Sequence, residues 1–94
     1  MHRLLRENRD AILRIARKHG VDSIRVFGSF ARDEAGSESD VDLLIGVHGA
    51  TPPWFPGGLV SELEALLGRR VDVVEAEALA PEMRSRILAE AATL

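Results

Sequence analysis

The amino-acid sequence predicts one small α/β domain, with helices packed on a single sheet. The chain has 94 residues, which is the size of a single small domain. Apolar residues recur alternately at helical spacing and at the period of two typical of strands, in the order α-β-α-β-α-β-α. We therefore expect residues 1–94 to form one domain, in which about four helices flank a three-stranded mixed sheet.

The first half of the chain is predicted to hold two helices and two strands. Residues 3–19 carry an apolar stripe at helical spacing, and Gly20 stands where a helix stops. Residues 23–27 alternate with period two and are rich in β-branched and aromatic types, which predicts a strand. A short helix is then expected over residues 30–35, and a second strand over residues 40–47.

The second half begins with a loop. Residues 48–58 contain three prolines and three glycines, so they cannot be regular throughout. Trp54 and Phe55 within them are expected first to cover the sheet, with packing on a partner or stacking on a bound base as the alternatives. A helix over residues 59–67, a strand over residues 71–74 and a final helix from Pro81 follow. The residues of the final helix expected to face inward are Met83, Ile87, Leu88 and Ala91.

Composition and charge exclude several functional classes. The absence of cysteine excludes disulfide scaffolds, zinc ribbons and thiol nucleophiles. Apolar runs are far shorter than the ~20 residues of a membrane span, and there is no signal-peptide pattern, so we expect a cytoplasmic protein. Residues 21–50 hold two basic and six acidic side chains, which argues against duplex DNA as a partner unless cations intervene.

Carboxylates are concentrated where the second and third strands are predicted. Asp40 and Asp42 are alternate residues, so their side chains lie on the same face, with Cα atoms about 6.6 Å apart. Asp72 interrupts an apolar strand, where a charge is costly without a partner. Carboxylates placed together in this way suit Mg²⁺ or Mn²⁺, and a pair of such ions is a known arrangement for displacement at phosphorus.

A candidate phosphate-binding turn precedes these carboxylates. Gly28 and Ser29 end the first strand, where free backbone N–H groups and a hydroxyl are available to an anion. Arg32 would lie one turn further on, towards the same charge. Neither the dinucleotide-binding G-x-G-x-x-G nor the Walker-type G-x-x-x-x-G-K-[ST] pattern occurs, which argues against those enzymes.

These motifs together resemble a known family. Gly28-Ser29, a ten-residue spacer, Asp40-Val41-Asp42 and the downstream Val71-Asp72-Val73-Val74 resemble the minimal nucleotidyltransferases of the DNA polymerase beta superfamily, over nearly the whole chain. The resemblance implies that ATP is the substrate and that two Mg²⁺ ions, or alternatively Mn²⁺, are bound. The implied nucleotide-binding residues are Gly28, Ser29, Arg32 and Ser39, and the implied metal-binding and catalytic residues are Asp40, Asp42 and Asp72.

The resemblance also implies a protein partner. Members of this length commonly act as antitoxins that transfer AMP to a tyrosine of a HEPN-domain ribonuclease toxin. The sequence departs from the family pattern at Asp33, a position often held by glycine, and around Trp54, where relatives begin a helix. Two alternatives remain open: an inactive binding module that neutralises its partner by contact, and a subunit of an aminoglycoside-type nucleotidyltransferase. Homo-oligomerisation is left open as well.

Each candidate residue also has an ordinary structural interpretation. Asp72 could form an ion pair with Arg25 or Arg70 instead of binding a cation. Arg32 could be a surface arginine, and Ser39 is better explained as a cap of the turn before the second strand than as a nucleotide contact. The Gly-Ser dipeptide alone predicts no more than a turn, and it is the spacing to the carboxylates that favours a site.

Overall fold

The computed structural model describes residues 2–94. Its helices are α1 (Arg3–Glu7), α2 (Arg9–Lys18), α3 (Gly57–Leu67) and α4 (Pro81–Glu90), and its strands are β1 (Val21–Phe27), β2 (Val41–Val47), β3 (Val71–Glu75) and β4 (Ala92–Thr93). None of the helices in this part of the chain is long and apolar enough to cross a bilayer.

The strands form one mixed sheet in the order β3-β2-β1-β4. β1 is antiparallel to β2 and β4, whereas β2 and β3 are parallel. The mixed sheet is confirmed, but the predicted number of three strands is wrong, because the short β4 pairs with β1 at the sheet edge. Two residues are too few to show a period-two pattern, and it is the backbone pairing with β1 that makes them a strand.

The core lies between the sheet and the helices α2 and α3. Leu59, Leu63 and Leu67 follow helical spacing along α3 and are all buried, as are Ile12 and Ala16 of α2. Burial of each such leucine contributes about 1.5–3 kcal/mol, so this layer accounts for much of the hydrophobic stabilisation. It packs against β1 and β2: Gly28 follows β1, Asp40 precedes β2 and Asp42 lies within it, and Asp72 lies on the neighbouring β3.

Two of the predicted helices differ in the structure. The first is broken at Asn8, where φ is −106° and ψ is 11°, and the Asn8 side chain donates a hydrogen bond to the Leu4 carbonyl at 2.8 Å. Residues 30–35 do not form a helix: a single turn of 3-10 helix, Gly28–Phe30, is followed by turns. Asp33 has a φ of 58°, a left-handed conformation that cannot continue a right-handed helix.

Two predictions of apolar cover are correct only in part. Trp54 is 72% exposed, and no residue of α4 is fully buried: Met83 is 49% and Leu88 39% exposed, whereas Ile87 and the following Ala91 are half-buried. Phe55, the other aromatic residue predicted to cover the sheet, does pack against the core. Polar contacts also hold α4, since the Arg84 guanidinium donates hydrogen bonds to the Ala76 carbonyl at 3.1 Å and to the Leu79 carbonyl at 3.2 Å.

Candidate active site

The sheet register brings two of the predicted carboxylates side by side. Asp42 of β2 is the parallel-strand partner of Asp72 of β3, so both side chains leave the same face of the sheet. Asp40 immediately precedes β2, two residues before Asp42, and its Oδ1 lies 3.7 Å from the Arg70 Nε. The ion pair that could have neutralised Asp72 thus involves Asp40 instead.

The electrostatics of this cluster disfavour its negative charge. Burial, followed by the charges of Asp72, Asp40 and Glu90, raises the pKa of Asp42, and the Arg32 guanidinium opposes the shift. A carboxylate that loses water and faces like charges is unstable without a cation or a proton. The site therefore has the electrostatic character of a cation-binding site.

Gly28 brings the turn after β1 against this cluster. Its φ is 72°, and a Cβ built on it would lie 2.3 Å from the Asp42 Oδ2. Only glycine allows the backbone to come this close to the carboxylate in this conformation. The Gly28 carbonyl accepts hydrogen bonds from the Ala31 and Arg32 N–H groups at 3.1 and 3.2 Å, which closes the turn around the half-buried Ser29.

A second arginine fixes the loop that leads into β2. One terminal nitrogen of Arg69 donates hydrogen bonds to the Gly36 carbonyl at 2.6 Å and to the Ser39 carbonyl at 3.1 Å, and its guanidinium lies 5.0 Å from the centre of the Phe30 ring. The Ser39 hydroxyl accepts a hydrogen bond from the Gly36 N–H at 2.9 Å. Ser39 is thus a turn cap in this structure. The positioning role of Arg69 was missed, because sequence cannot show which loop an arginine reaches.

Glu90 is a further residue that sequence reasoning missed. Its Oε1 accepts a hydrogen bond from the Gly28 N–H at 2.6 Å and lies 3.1 Å from Arg32 Nη1, and its Oε2 lies 3.2 Å from the same nitrogen. Arg32 also donates a hydrogen bond to Glu34 at 2.7 Å. No sequence signal distinguished Glu90, because its position depends on the unpredicted β4. A cavity of about 550 Å³ opens beside it, lined by Gly28, Met83 and Ile87 among others.

The donor chemistry of the site fits a hard divalent cation. Asp40, Asp42 and Asp72 offer carboxylate oxygens, the ligands that Mg²⁺ and Mn²⁺ prefer, and the crowding of charge at Asp42 is what such an ion would relieve. Within residues 2–94, no three or more acidic or histidine side chains are already arranged so that they could hold one ion. Side-chain rotation of these aspartates would thus have to accompany metal binding.

Comparisons with known proteins agree with the fold and its topology. Residues 9–94 match the family model described as nucleotidyltransferase domain. The chain is 37% identical over 87 residues to the Methanocaldococcus jannaschii protein MJ0435, named as a candidate protein adenylyltransferase, covering 93% of this chain and 94% of that one. It is 40% identical over 73 residues to the protein adenylyltransferase MntA of Thermococcus cleftensis, covering 78% of this chain and 74% of the relative.

Solved structures show the same architecture. A structure described as a candidate minimal nucleotidyltransferase superposes with a TM-score of 0.86 at 43% identity, covering 96% of this chain and 92% of that chain. A complex of a tri-AMPylated Shewanella oneidensis HEPN toxin with an MNT antitoxin contains a chain of the same fold, with a TM-score of 0.71 at 17% identity, covering 94% and 69% of the two chains. The family match, the identity to the relatives and the shared architecture agree that this chain is a member of the nucleotidyltransferase family.

Proposed function

We propose that this chain is a single minimal nucleotidyltransferase domain that transfers AMP from ATP to a tyrosine hydroxyl of a HEPN-domain toxin, and so acts as its antitoxin in the cytoplasm. The observation that carries the proposal is that the Gly28 turn lies so close to Asp42, itself paired with Asp72, that a Cβ at Gly28 would be only 2.3 Å from the Asp42 carboxylate. A phosphate-binding turn and a carboxylate cluster meet at this point. Nucleotidyl transfer needs both.

The reaction would be a displacement at the α-phosphorus of ATP. The acceptor hydroxyl oxygen forms a bond to that phosphorus, the bond to the β-phosphate bridging oxygen breaks, and pyrophosphate leaves with the electron pair. Two Mg²⁺ ions, or Mn²⁺, bound by Asp40, Asp42 and Asp72 would neutralise the phosphate charge. Asp72 is the residue that we assign to orient the acceptor hydroxyl and take its proton.

The turn residues would bind the triphosphate. The Gly28 N–H and the Ser29 hydroxyl are donors of the kind that phosphate oxygens accept, and Arg32 adds a positive charge beside them. The open cavity next to Gly28 has a volume of about 550 Å³, enough for part of a nucleotide. Catalysis would then depend mainly on positioning and on charge neutralisation.

The partner assignment is supported by the relatives. Both of the relatives above carry names of protein adenylyltransferases, which act on proteins, and a chain of this fold occurs in a complex with an AMPylated HEPN toxin. The exposed Trp54, Met83 and Leu88 provide apolar surface that such a partner would cover. These are the grounds on which we extend the assignment from a nucleotidyltransferase to an antitoxin.

The proposal is tested with α-labelled ATP and a HEPN-domain protein as the candidate partner. We expect label on the partner with the wild type and none with the Asp40→Asn, Asp42→Asn double variant. Asp10→Asn is the matched control, since Asp10 lies on α2 with its side chain 86% exposed. Transfer by the double variant at the rate of Asp10→Asn would contradict the proposal, and neutralisation of the partner without any label would favour the binding module.

A further inference from the structure

In this structure, the predicted phosphate-binding turn binds an anionic group of the protein itself, the side-chain carboxylate of Glu90. The carboxylate of Glu90 accepts the Gly28 N–H hydrogen bond at 2.6 Å and is bound by the Arg32 guanidinium at 3.1 and 3.2 Å. These are the backbone donor and the cation to which we assign the triphosphate. A nucleotide phosphate cannot take the single Gly28 N–H while Glu90 accepts it, and it would have to share the charge of the Arg32 guanidinium with that carboxylate.

The C-terminal strand places Glu90 in this position. β4 starts two residues after Glu90, and its Ala92 pairs with Val26, next to the end of β1 from which the Gly28 turn leaves. The carbonyl of Leu94 accepts a hydrogen bond from Arg9 at 2.9 Å, which fastens the chain end to α2. The pairing of β4 with β1 thus sets the distance between Glu90 and the turn, although α4 has no buried residue.

The Glu90 side chain is free to leave without disturbing the core. It is 36% exposed, and its partners are a turn amide and an arginine whose side chain is 48% exposed. Rotation of the carboxylate into solvent would therefore break surface hydrogen bonds alone. It would also remove a negative charge that faces Asp42.

We propose that Glu90 is an internal competitor for the nucleotide phosphates: it occupies the Gly28 and Arg32 donors in the free protein, is displaced by the triphosphate, and so lowers the affinity for nucleotide. The inference rests on the proposed function, because it assumes that the Gly28 turn is the site that binds the nucleotide phosphates. It adds a residue that tunes affinity, while the reaction itself needs no contribution from Glu90.

The test compares binding of three probes to the wild type, Glu90→Gln, Glu90→Ala and Glu82→Gln by isothermal titration calorimetry with Mg²⁺ present. The probes are ATP, inorganic tripolyphosphate and adenosine. Charge-assisted hydrogen bonds are roughly twice as strong as neutral ones and exposed pairs are weaker still, so we expect Glu90→Gln to tighten ATP and tripolyphosphate about three- to tenfold. Glu90→Ala, which also frees the amide, should tighten both at least as much.

Two controls separate competition from a general loosening of α4. Glu82→Gln makes the same charge change on an exposed residue of the same helix and should bind all three probes like the wild type. Adenosine carries no phosphate, so its binding should not respond to Glu90. A tripolyphosphate affinity that rises in Glu90→Gln alone, with adenosine unchanged, is the result that supports competition.

The outcomes distinguish the inference from the function on which it rests. If the wild type binds ATP and the Glu90 variants bind it equally or more weakly, the competitor role is overturned and the proposed function stands. If neither the wild type nor any variant binds ATP or tripolyphosphate, the nucleotide site fails and the inference fails with it. Equal tightening in Glu82→Gln also overturns the inference, because charge alone would then explain the change.

Discussion

Gly28→Ala is the substitution that tests most directly whether the close approach of the Gly28 turn to Asp42 is needed for activity. Gly28 has a φ of 72°, where an L-residue costs about 1–2 kcal/mol. For a domain of this size, each 1 kcal/mol lowers the melting temperature by about 4–8 °C. The new Cβ would also lie 2.3 Å from Asp42 Oδ2 and 3.2 Å from its Cγ, so the Asp42 carboxylate must turn away.

Gly20→Ala is the matched control. Gly20 has a φ of 81°, so it carries the same backbone cost, but no atom lies within 4 Å of a Cβ built there. In thermal melts followed by circular dichroism, we expect Gly28→Ala to lose at least as much stability as Gly20→Ala, because it adds the contact with Asp42. Only Gly28→Ala should lose AMP transfer, by about 10²-fold, because a displacement of about 1 Å at a reacting centre costs that much. Transfer by Gly28→Ala at the rate of Gly20→Ala would refute the reasoning.

Three further predictions concern the surroundings of the site. Burial and the neighbouring carboxylates raise the pKa of Asp42, so the folded state binds this proton more tightly than the unfolded chain, and stability falls as pH rises through the unfolded and folded pKa values. Asp42→Asn should therefore melt above the wild type at pH 7 in EDTA, with the difference vanishing in acid; an equal or lower melting temperature at pH 7 would contradict this. Hydrogen bonds from Lys18 and His19 lower the pKa of Glu62, so their stabilisation is present above its unfolded pKa and is lost as pH falls through the folded one. Glu62→Gln should thus lower the melting temperature at pH 7 but not at pH 2, and a constant difference across that range would count against the pairing. Arg69→Ala should reduce AMP transfer, because it frees the 36–39 loop. Arg69→Lys should restore little of the transfer, because an ammonium cannot also stack on Phe30 as a planar guanidinium does. Full activity of Arg69→Lys in the transfer assay would exclude this positioning role of Arg69.

The carboxylate cluster was predictable because it depends on strong local patterns. Period two places Asp40 and Asp42 on one face, and the apolar strand around Asp72 marks that residue as exceptional. The parallel register of β2 and β3, which the sequence did not predict, then pairs Asp42 with Asp72. The two-residue spacing of Asp40 and Asp42, and the position of a charged Asp72 within an apolar strand, can both be read directly from one sequence.

The features that the sequence did not predict, namely β4, the position of Glu90 and the burial of the apolar side chains, depend on contacts between residues far apart in the chain. β4 exists only through its pairing with β1, and Glu90 reaches Gly28 only because β4 is there. The apolar residues of α4 follow helical spacing, but within residues 2–94 Ile87 is only half-buried and Met83 and Leu88 are exposed, so periodicity alone overstated their burial. Of the two adjacent aromatic residues predicted to cover the sheet, Phe55 packs against the core and Trp54 is exposed, because sequence does not show which of the two side chains turns inward.

The central claim is that this chain transfers AMP to a protein partner, and that the transfer depends on Asp40, Asp42 and the Gly28 turn. Its most direct test is the intact mass of the HEPN-domain protein after incubation with this chain, ATP and Mg²⁺. We predict that the partner gains one or more AMP masses with the wild type and with Asp10→Asn, and none with the Asp40→Asn, Asp42→Asn variant. An unchanged partner mass with the wild type, under conditions in which a related adenylyltransferase modifies its own partner, would contradict the account.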